Sequence, residues 1–461
     1  MLVGTAAVAL TLGLSRWGTY IGYSPLFITD LLIALSLINW LVSDSLKGFR
    51  KPSGWVPRSL PTGLFIAFMV FVVFRFLFSL GNGPLLDWIR DAVPFLYGFL
   101  AFVSARSLAL STPGTRSRTM RLLWWAINFH LVWTALVVIT GTAKGFAIPG
   151  PTFTVPFFEV RPDIDAALIA VAVGMLLRNA ILNRHRVWSV GGIALGLVTV
   201  LSLGTRAGLI SVMISMVLAF SLTFASTSKM SPRRAAMVFV VPFVIVLAAV
   251  VLPMTTPGQR LIATVDPSQA FSAAQQSAQG TQRARELTWS TVISWTNEDT
   301  LRQVVGSGFG NDFLEQSGTK AFLEGTTYKN VRSPHNWFVG IYARMGLLGT
   351  ALIVGVIIQL AAIIWRSRRR IGSDPLLTAS ALIVLSILPV ATLGVVLEAP
   401  FGAVPFFWAA GILMTLASPI SQVSRTDHKR GSGDQAMNEL HSSNGPHSLA
   451  ESDVKRRSKL A

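Results

Sequence analysis

The run HNWFVGIYARMGLLGTALIVGVIIQLAAIIW, residues 335–365, is apolar almost throughout and is followed at once by Arg366, Arg368, Arg369 and Arg370. A bilayer's hydrocarbon core of roughly 30 Å takes about 20 apolar residues in an α-helix, so this run is long enough to cross it. An apolar stretch of spanning length with a basic cluster at one end is the pattern that decides the fold, and it recurs along the chain. Spans are placed near 1–15, 26–43, 60–80, 91–109, 122–140, 162–178, 187–204, 205–224, 236–253, 335–365, 375–397 and 402–418. They predict an all-α, polytopic integral membrane protein with about twelve transmembrane helices. The seventh and eighth must be joined by a very tight turn.

Composition narrows the class further. Of 461 residues 52% are hydrophobic and 13% charged, with Lys+Arg 39 against Asp+Glu 21 and a formal charge of +18. That mixture excludes a disordered chain and argues against a soluble globular one. The basic residues punctuate apolar runs instead of clustering on a polar surface, which argues against a nucleic-acid partner. The first run, Met1 to Leu14, lacks a basic leader and a small-residue cleavage site, and reads as a retained helix. With no cysteine, disulfides, thiolate metal sites and cysteine nucleophiles are excluded.

Lys and Arg favour cytoplasmic loops. With the N-terminus inside, the inner loops carry Lys47, Arg50, Lys51 and Arg58, then Arg106, Arg116, Arg118 and Arg121, then Arg178, Arg184 and Arg186, then Lys229, Arg233 and Arg234, and finally the cluster after residue 365. Both termini are therefore expected in the cytoplasm. The predicted organisation is helices one to nine in residues 1–253, a large extracytoplasmic loop with short interfacial helices in 254–334, helices ten to twelve in 335–418, and a disordered basic cytoplasmic tail in 419–461. In the large loop a polar, flexible stretch, PSQAFSAAQQSAQGTQ, precedes an amphipathic one with Leu287, Trp289, Val292, Ile293 and Trp295, which reads as a helix at the membrane interface. The net positive charge is thus a topology signal, since the excess sits in the inner loops and tail.

Ionisable side chains at membrane depth are costly, which makes those that remain functional candidates. On the outer side Arg75 sits near the outer end of the third span, Arg161 and Asp163 open the sixth, and Arg206 lies in the tight turn, in SLGTRAG. Arg283 and Arg285 stand in QRARELTW, and His335 opens the tenth span in RSPHNWFVGIYARMGLLG with Arg344 further on. A lone histidine at a membrane boundary more often caps a helix than catalyses, and a lone arginine there more often snorkels to lipid phosphate. Several arginines facing the same compartment as one histidine suggest a site for an anionic group. Asp163 and Asp165 have the look of a metal-binding pair, but carboxylates two residues apart at a helix start diverge by about 200°, and Asp is common there for capping. No metal site is predicted. Gly306, Gly308 and Gly310 could cradle phosphate through backbone N–H groups, although a plain loop is the simpler reading.

The strings PHNWFVGIYARMGLLG, SLGTRAG, RELTW and VVGSGFGNDF, in this order and topology, resemble the bacterial O-antigen ligase and O-antigen polymerase-like superfamily of membrane glycosyltransferases. His335, Asn336, Gly346 and Gly349 match that family's His-Asn element with its following glycines. Arg206 matches its mid-chain arginine after Ser or Thr, and Arg285 with Trp289 matches its loop arginine four residues before an aromatic, Arg283 being a nearby competitor. Gly306, Gly308 and Gly310 match its Gly-rich string. The motif-level match covers about residues 203–350. Arg344 departs from the pattern, because many members carry Glu there, and the added positive charge points to a variant acceptor or a more anionic donor.

The resemblance implies transfer of a glycan from an undecaprenyl-diphosphate-linked donor to a lipid or glycan acceptor hydroxyl at the outer face of a bacterial cytoplasmic membrane. The enzyme would be a ligase or polymerase of surface polysaccharide, either lipopolysaccharide or exopolysaccharide, working without a metal ion or other cofactor. Arg206 and Arg285 would hold the diphosphate leaving group, and His335 would take the proton of the acceptor hydroxyl, kept neutral by its arginine neighbours. Arg161, Arg75, Arg283, Asn336 and Arg344 would contact diphosphate or acceptor. The alternative is a twelve-helix transporter or flippase for an anionic lipid or glycan. Two unlike halves and charges at the membrane edge instead of the midplane weigh against it.

Overall fold

The computed structural model describes residues 2–23, 26–46, 59–141, 155–227, 259, 273–323 and 331–417. The predicted span 236–253 and the tail 419–461 lie outside the described residues. The helices are α1 (Leu2–Thr19), α2 (Ile28–Leu46), α3 (Leu60–Phe78), α4 (Leu85–Leu96), α5 (Phe99–Ala109), α6 (Pro113–Ile139), α7 (Pro162–Ile181), α8 (Arg186–Leu203) and α9 (Arg206–Ser226). Then come α10 (Ala273–Asn297), α11 (Thr300–Val305), α12 (Phe313–Gln316), α13 (Trp337–Arg366), α14 (Arg368–Ser373), α15 (Pro375–Leu393) and α16 (Pro400–Met414). Gly22–Tyr23 and Leu26–Phe27 form a two-stranded antiparallel ladder.

Among the described residues nine helical segments are long and apolar enough to cross a membrane: α3, α4 with α5, α6, α7, α8, α9, α13, α15 and α16 with its last turn. They correspond to the predicted spans three to eight and ten to twelve. The first two predicted spans are the helices α1 and α2, but they fall short of that measure, and the apolar part of α2, Ile28–Val42, is a shorter helix. The tight turn between α8 and α9 is Gly204 in the left-handed region (φ 69°) followed by Thr205, whose hydroxyl caps α9 by accepting from the Gly208 N–H.

The core is built round α7, 94% of whose span is buried inside the protein, against 28% for α8. Its run AALIAVAVG is short-chained, so neighbouring helices approach closely. A Cβ on Gly196 would press on Val173 and Ile169 of α7, and one on Gly174 would meet Leu382 of α15. On the outside α8 turns apolar side chains away from the protein, Val187 being 89% exposed, as a lipid-facing surface requires. The stretch read as flexible is helical from Ala273 onward, in keeping with the helix propensity of its Ala and Gln residues. Only part of the amphipathic face of α10 is free. Val292 and Trp295 are buried against Val339, Ala343, Phe313 and Leu314, while Leu287 and Ile293 stay exposed.

One irregularity positions everything that follows. Helix α13 breaks at Gly346 (φ 63°, ψ −165°), and beside the break the carbonyls of Ala343 and Arg344 accept from the N–H groups of Ser307 and Gly308 at 2.8 and 2.9 Å. The Gly-rich string is thereby laid against the helix. A Cβ on Gly306 (φ 77°) would collide with the backbone of Arg344 and Met345, and one on Gly346 with that of Val304 and Gly306. Gly306→Ala and Gly346→Ala should each cost at least about 1–3 kcal/mol from the left-handed backbone alone. Gly191→Ala, on the open side of α8 with nothing within 4 Å, should be neutral or mildly stabilising. Thermal unfolding in detergent measures all three.

Candidate active site

At one end of the bundle the last turn of α3, the starts of α7, α9 and α13, and the helix α10 come together. His335 precedes α13 in a turn that forces it into the left-handed region (φ 55°), a conformation that non-glycine residues adopt at a cost and that clusters at functional sites. Two contacts hold this turn. Trp289 of α10 donates its indole N–H to the Pro334 carbonyl at 2.7 Å, and Asn336 caps α13 by accepting from the N–H groups of Phe338 and Val339 at 3.0 and 3.3 Å.

Arg285 lies four residues before Trp289, hence on the same face of α10, and is partly buried. Arg283 is about 200° round the helix from Arg285 and is exposed. The local geometry therefore separates the two competitors. Arg161 is the N-cap of α7, and Arg206 is the first residue of α9. The charges of Arg285, Arg161 and Arg206 all act on Asp163 in the first turn of α7. Burial and then the charges of Arg285 and Arg161 push the His335 imidazole from its ordinary value of 6.5 down to about 4, so at neutral pH it is uncharged.

The remaining arginines are engaged otherwise. Arg75 donates to the Gly306 carbonyl at 2.8 Å and so ties α3 to the Gly-rich string. Arg344 is buried, with Asp91 at 3.4 Å, Glu398 at 3.9 Å and its guanidinium over the Phe313 ring. Arg332 meets Asp91 at 3.0 Å and both Asp87 and Asp312 at 3.3 Å. Burial opposes its charge, but the three carboxylates outweigh it and raise its pKa. Arg16 pairs with Glu159 at 2.9 Å and Arg90 with Asp87 at 2.9 Å. Arg161 and Arg285, by contrast, make no ion pair with a described residue.

Two further readings meet the geometry here. Asp165 points away from Asp163: it is buried, accepts from the Ser15 hydroxyl and from the Arg161 N–H, and lies 3.8 Å from His130. Among the described residues no group of three or more His, Asp or Glu side chains is arranged to hold a metal ion. The N–H groups of Gly306, Ser307, Gly308 and Gly310 bond to Arg302, Ala343, Arg344 and Asp91, so the glycine string serves as a packed loop with its donors engaged.

A cavity of about 350 Å³ opens beside His335, lined also by Arg161, Arg332, Arg344, Asp91 and Glu398. Asp91, Arg332 and Glu398 were not singled out from the sequence. Glu398 had a usable signal, an acid within the apolar stretch TLGVVLEAPFG between the last two spans. Arg332 stands three residues before His335, within the motif string itself.

Fold and site together define a polytopic helical membrane protein with a neutral histidine and convergent guanidinium groups at one end of its bundle. Residues 191–354 match the family model Wzy_C, described as O-antigen ligase. The resemblance to the O-antigen ligase-like superfamily is thereby shown over that segment, which contains Arg206, Arg285, the glycine string and His335; Arg75, Arg161 and Glu398 fall outside it. A search of curated proteins gives no match.

Proposed function

We propose that this protein is a membrane glycosyltransferase, a ligase or polymerase of surface polysaccharide. It transfers a glycan from an undecaprenyl-diphosphate-linked donor to an acceptor hydroxyl at the outer face of the bacterial cytoplasmic membrane. What carries the reading is the family match over 191–354 coinciding with a neutral His335 placed under the charges of Arg285 and Arg161. In the proposed step His335 takes the acceptor hydroxyl's proton as that oxygen bonds to the anomeric carbon. The anomeric C–O bond to phosphate breaks, and its electron pair leaves on the diphosphate. Arg285, Arg206 and Arg161 hold the accumulating negative charge, since guanidinium groups bind such oxygens bidentately and keep their charge. Arg344, Arg332 and Arg75 shape the site through their own partners.

The proposed topology has twelve spans, both termini in the cytoplasm, and the segment 254–334 outside, in accord with the basic inner loops. The proposed chemistry needs no metal ion, and EDTA should leave the rate unchanged. The deciding experiment is transfer from purified lipid-linked donor to acceptor by the protein in detergent, where no gradient and no second compartment exist; a transporter would give no product. In that assay Arg285→Ala should lower kcat/KM by about 10²–10³-fold, the scale of removing one preorganised charge-stabilising group. Arg283→Ala, on the exposed face, should stay within a few-fold of wild type.

A further inference from the structure

Helix α1 is broken close to its end, where Ser15 has non-helical dihedrals (φ 52°, ψ −135°). The three residues at the break each hold a different point of the segment that leads into α7 and of its first turn. The Ser15 hydroxyl donates to the Asp165 carboxylate, and the Arg16 guanidinium donates to Glu159 at 2.9 Å. The Trp17 ring packs on Phe157 and Phe158, with centroids 5.4 and 4.9 Å apart. Arg161 lies between those points along the chain, and its own N–H donates to Asp165 at 2.6 Å.

Residues 155–161 are not helical, so no ladder of helix bonds fixes where Arg161 stands. It is the N-cap of α7 in an extended conformation (φ −107°, ψ 95°) with no side-chain cap hydrogen bond. Among the described residues five non-glycine residues have positive φ; Ser15 and Phe158 stand on the two sides of this contact, and His335 is a third. Backbone in that region persists only where its surroundings over-determine it, and such residues gather at functional sites. Ser15, Trp17 and Asp165 are buried, which makes the contact a fixed one. It also ends in the site, because Arg16, Tyr20, Arg161 and His335 line one cavity. A long side chain that must meet a diphosphate depends on a fixed backbone, since a misplacement of about 1 Å can cost about 10²-fold.

We infer that the broken turn of α1 is the positioning element for Arg161: Ser15, Arg16 and Trp17 clasp the chain on both sides of it and so set its guanidinium group beside His335. The inference rests on the glycosyl-transfer reading, in which Arg161 holds the leaving group, and adds to it the part of the fold that aims this arginine.

The test uses the full chain in nanodiscs, with inorganic pyrophosphate as the probe and phosphorus NMR line broadening as the readout of its affinity. Arg161→Ala should weaken binding about tenfold, the scale of one charge-assisted hydrogen bond. Ser15→Gly, which removes the hydroxyl and suits the left-handed backbone, and Trp17→Leu should each weaken it about threefold or more, although neither changes a charge. Combined with Arg161→Ala, either should stay within about twofold of Arg161→Ala alone, because nothing is left to position. The His335 imidazole titration, followed by NMR of histidine-labelled protein and assigned by its absence in His335→Ala, gives a second readout. It should rise in Arg161→Ala and also in Ser15→Gly and Trp17→Leu, since Arg161 is one of the charges that hold it down. Trp17→Phe, which keeps a ring against Phe157 and Phe158, should stay near wild type. Leu12→Ala, in the buried core face of the same helix, should lower the unfolding temperature and leave both readouts in place. If Trp17→Leu does not fold, Ser15→Gly decides. Losses that add in the double variants, an unmoved His335 titration in the clasp variants, or the same changes in Leu12→Ala overturn the positioning role and leave the transfer reading standing. Pyrophosphate that binds wild type and Arg161→Ala alike counts against the diphosphate reading of Arg161, and the His335 titration then decides the positioning by itself.

Discussion

His335→Ala should slow glycan transfer by about 10²–10⁴-fold in purified protein supplied with lipid-linked donor, the usual contribution of a positioned general base. Folding should survive, because His335 is held by its backbone turn, through Pro334 and Asn336, and the side chain is not part of that clamp. Gel filtration and thermal unfolding check this. The pH profile provides a second readout. Burial first, and then Arg285 and Arg161, bring the imidazole down to about 4, below its ordinary value of 6.5. The proton-accepting neutral form therefore dominates above about 4, and kcat/KM should be level from neutral pH down to about 5 and fall about tenfold per pH unit below 4. Arg285→Ala removes one of the depressing charges, so its acid limb should move to higher pH. The same shift bears on stability: a histidine kept neutral in the folded state contributes stability that is complete above 6.5 and is lost as pH falls toward 4. A variant lacking His335 that keeps most of its transfer rate would remove the base role.

The second large effect is expected at Asp91, which lies on α4 remote in sequence from its partners. Its side chain is 4% exposed and meets Arg332 at 3.0 Å and Arg344 at 3.4 Å, with the Gly310 N–H donating to it at 3.3 Å. Asp91→Ala leaves two buried or half-buried guanidinium groups without a shared counter-charge, and breaking a buried pair in this way costs about 3–5 kcal/mol. The unfolding temperature in detergent should drop accordingly, and the site should lose activity with it. Asp91→Asn keeps an acceptor for the Gly310 N–H and should lie between wild type and alanine. Around Arg344, Glu398 is the other carboxylate; its burial raises its pKa, and the Arg344 charge pulls it back. Glu398 alone at 3.9 Å cannot replace Asp91.

Much of the candidate site was legible as motif order. The aromatic four residues after Arg285 can be read along a line, and its function in three dimensions is the Trp289 clamp on Pro334. The opposed faces of Arg283 and Arg285 follow from helical periodicity. What the line of sequence does not reveal is charge compensation. Arg344 looked like an added positive charge, and only its placement beside Asp91 and Glu398 shows it neutralised. The partner bond from Arg332 to Asp91 spans 241 positions, and no periodicity reaches that far. Gly306 and Gly346 were recognisable as motif residues, but their reason is that a side chain on Gly306 would meet the backbone of Arg344 and Met345, and one on Gly346 that of Val304 and Gly306.

By itself the sequence determined the helical class and the position of most spans, because a bilayer leaves the backbone of each segment no hydrogen-bond partners but its own and so makes each span a local decision. It also determined the tight turn before Arg206 and the start of α13 directly after His335, where Asn336 is the cap, both set by neighbouring residues. Tertiary structure alone decided which of the described arginines are tied to carboxylates, as Arg332 and Arg344 are. That outcome depends on which distant segments pack together, and Coulomb interactions inside a poorly solvated bundle are governed by distance in space, whatever the separation along the chain.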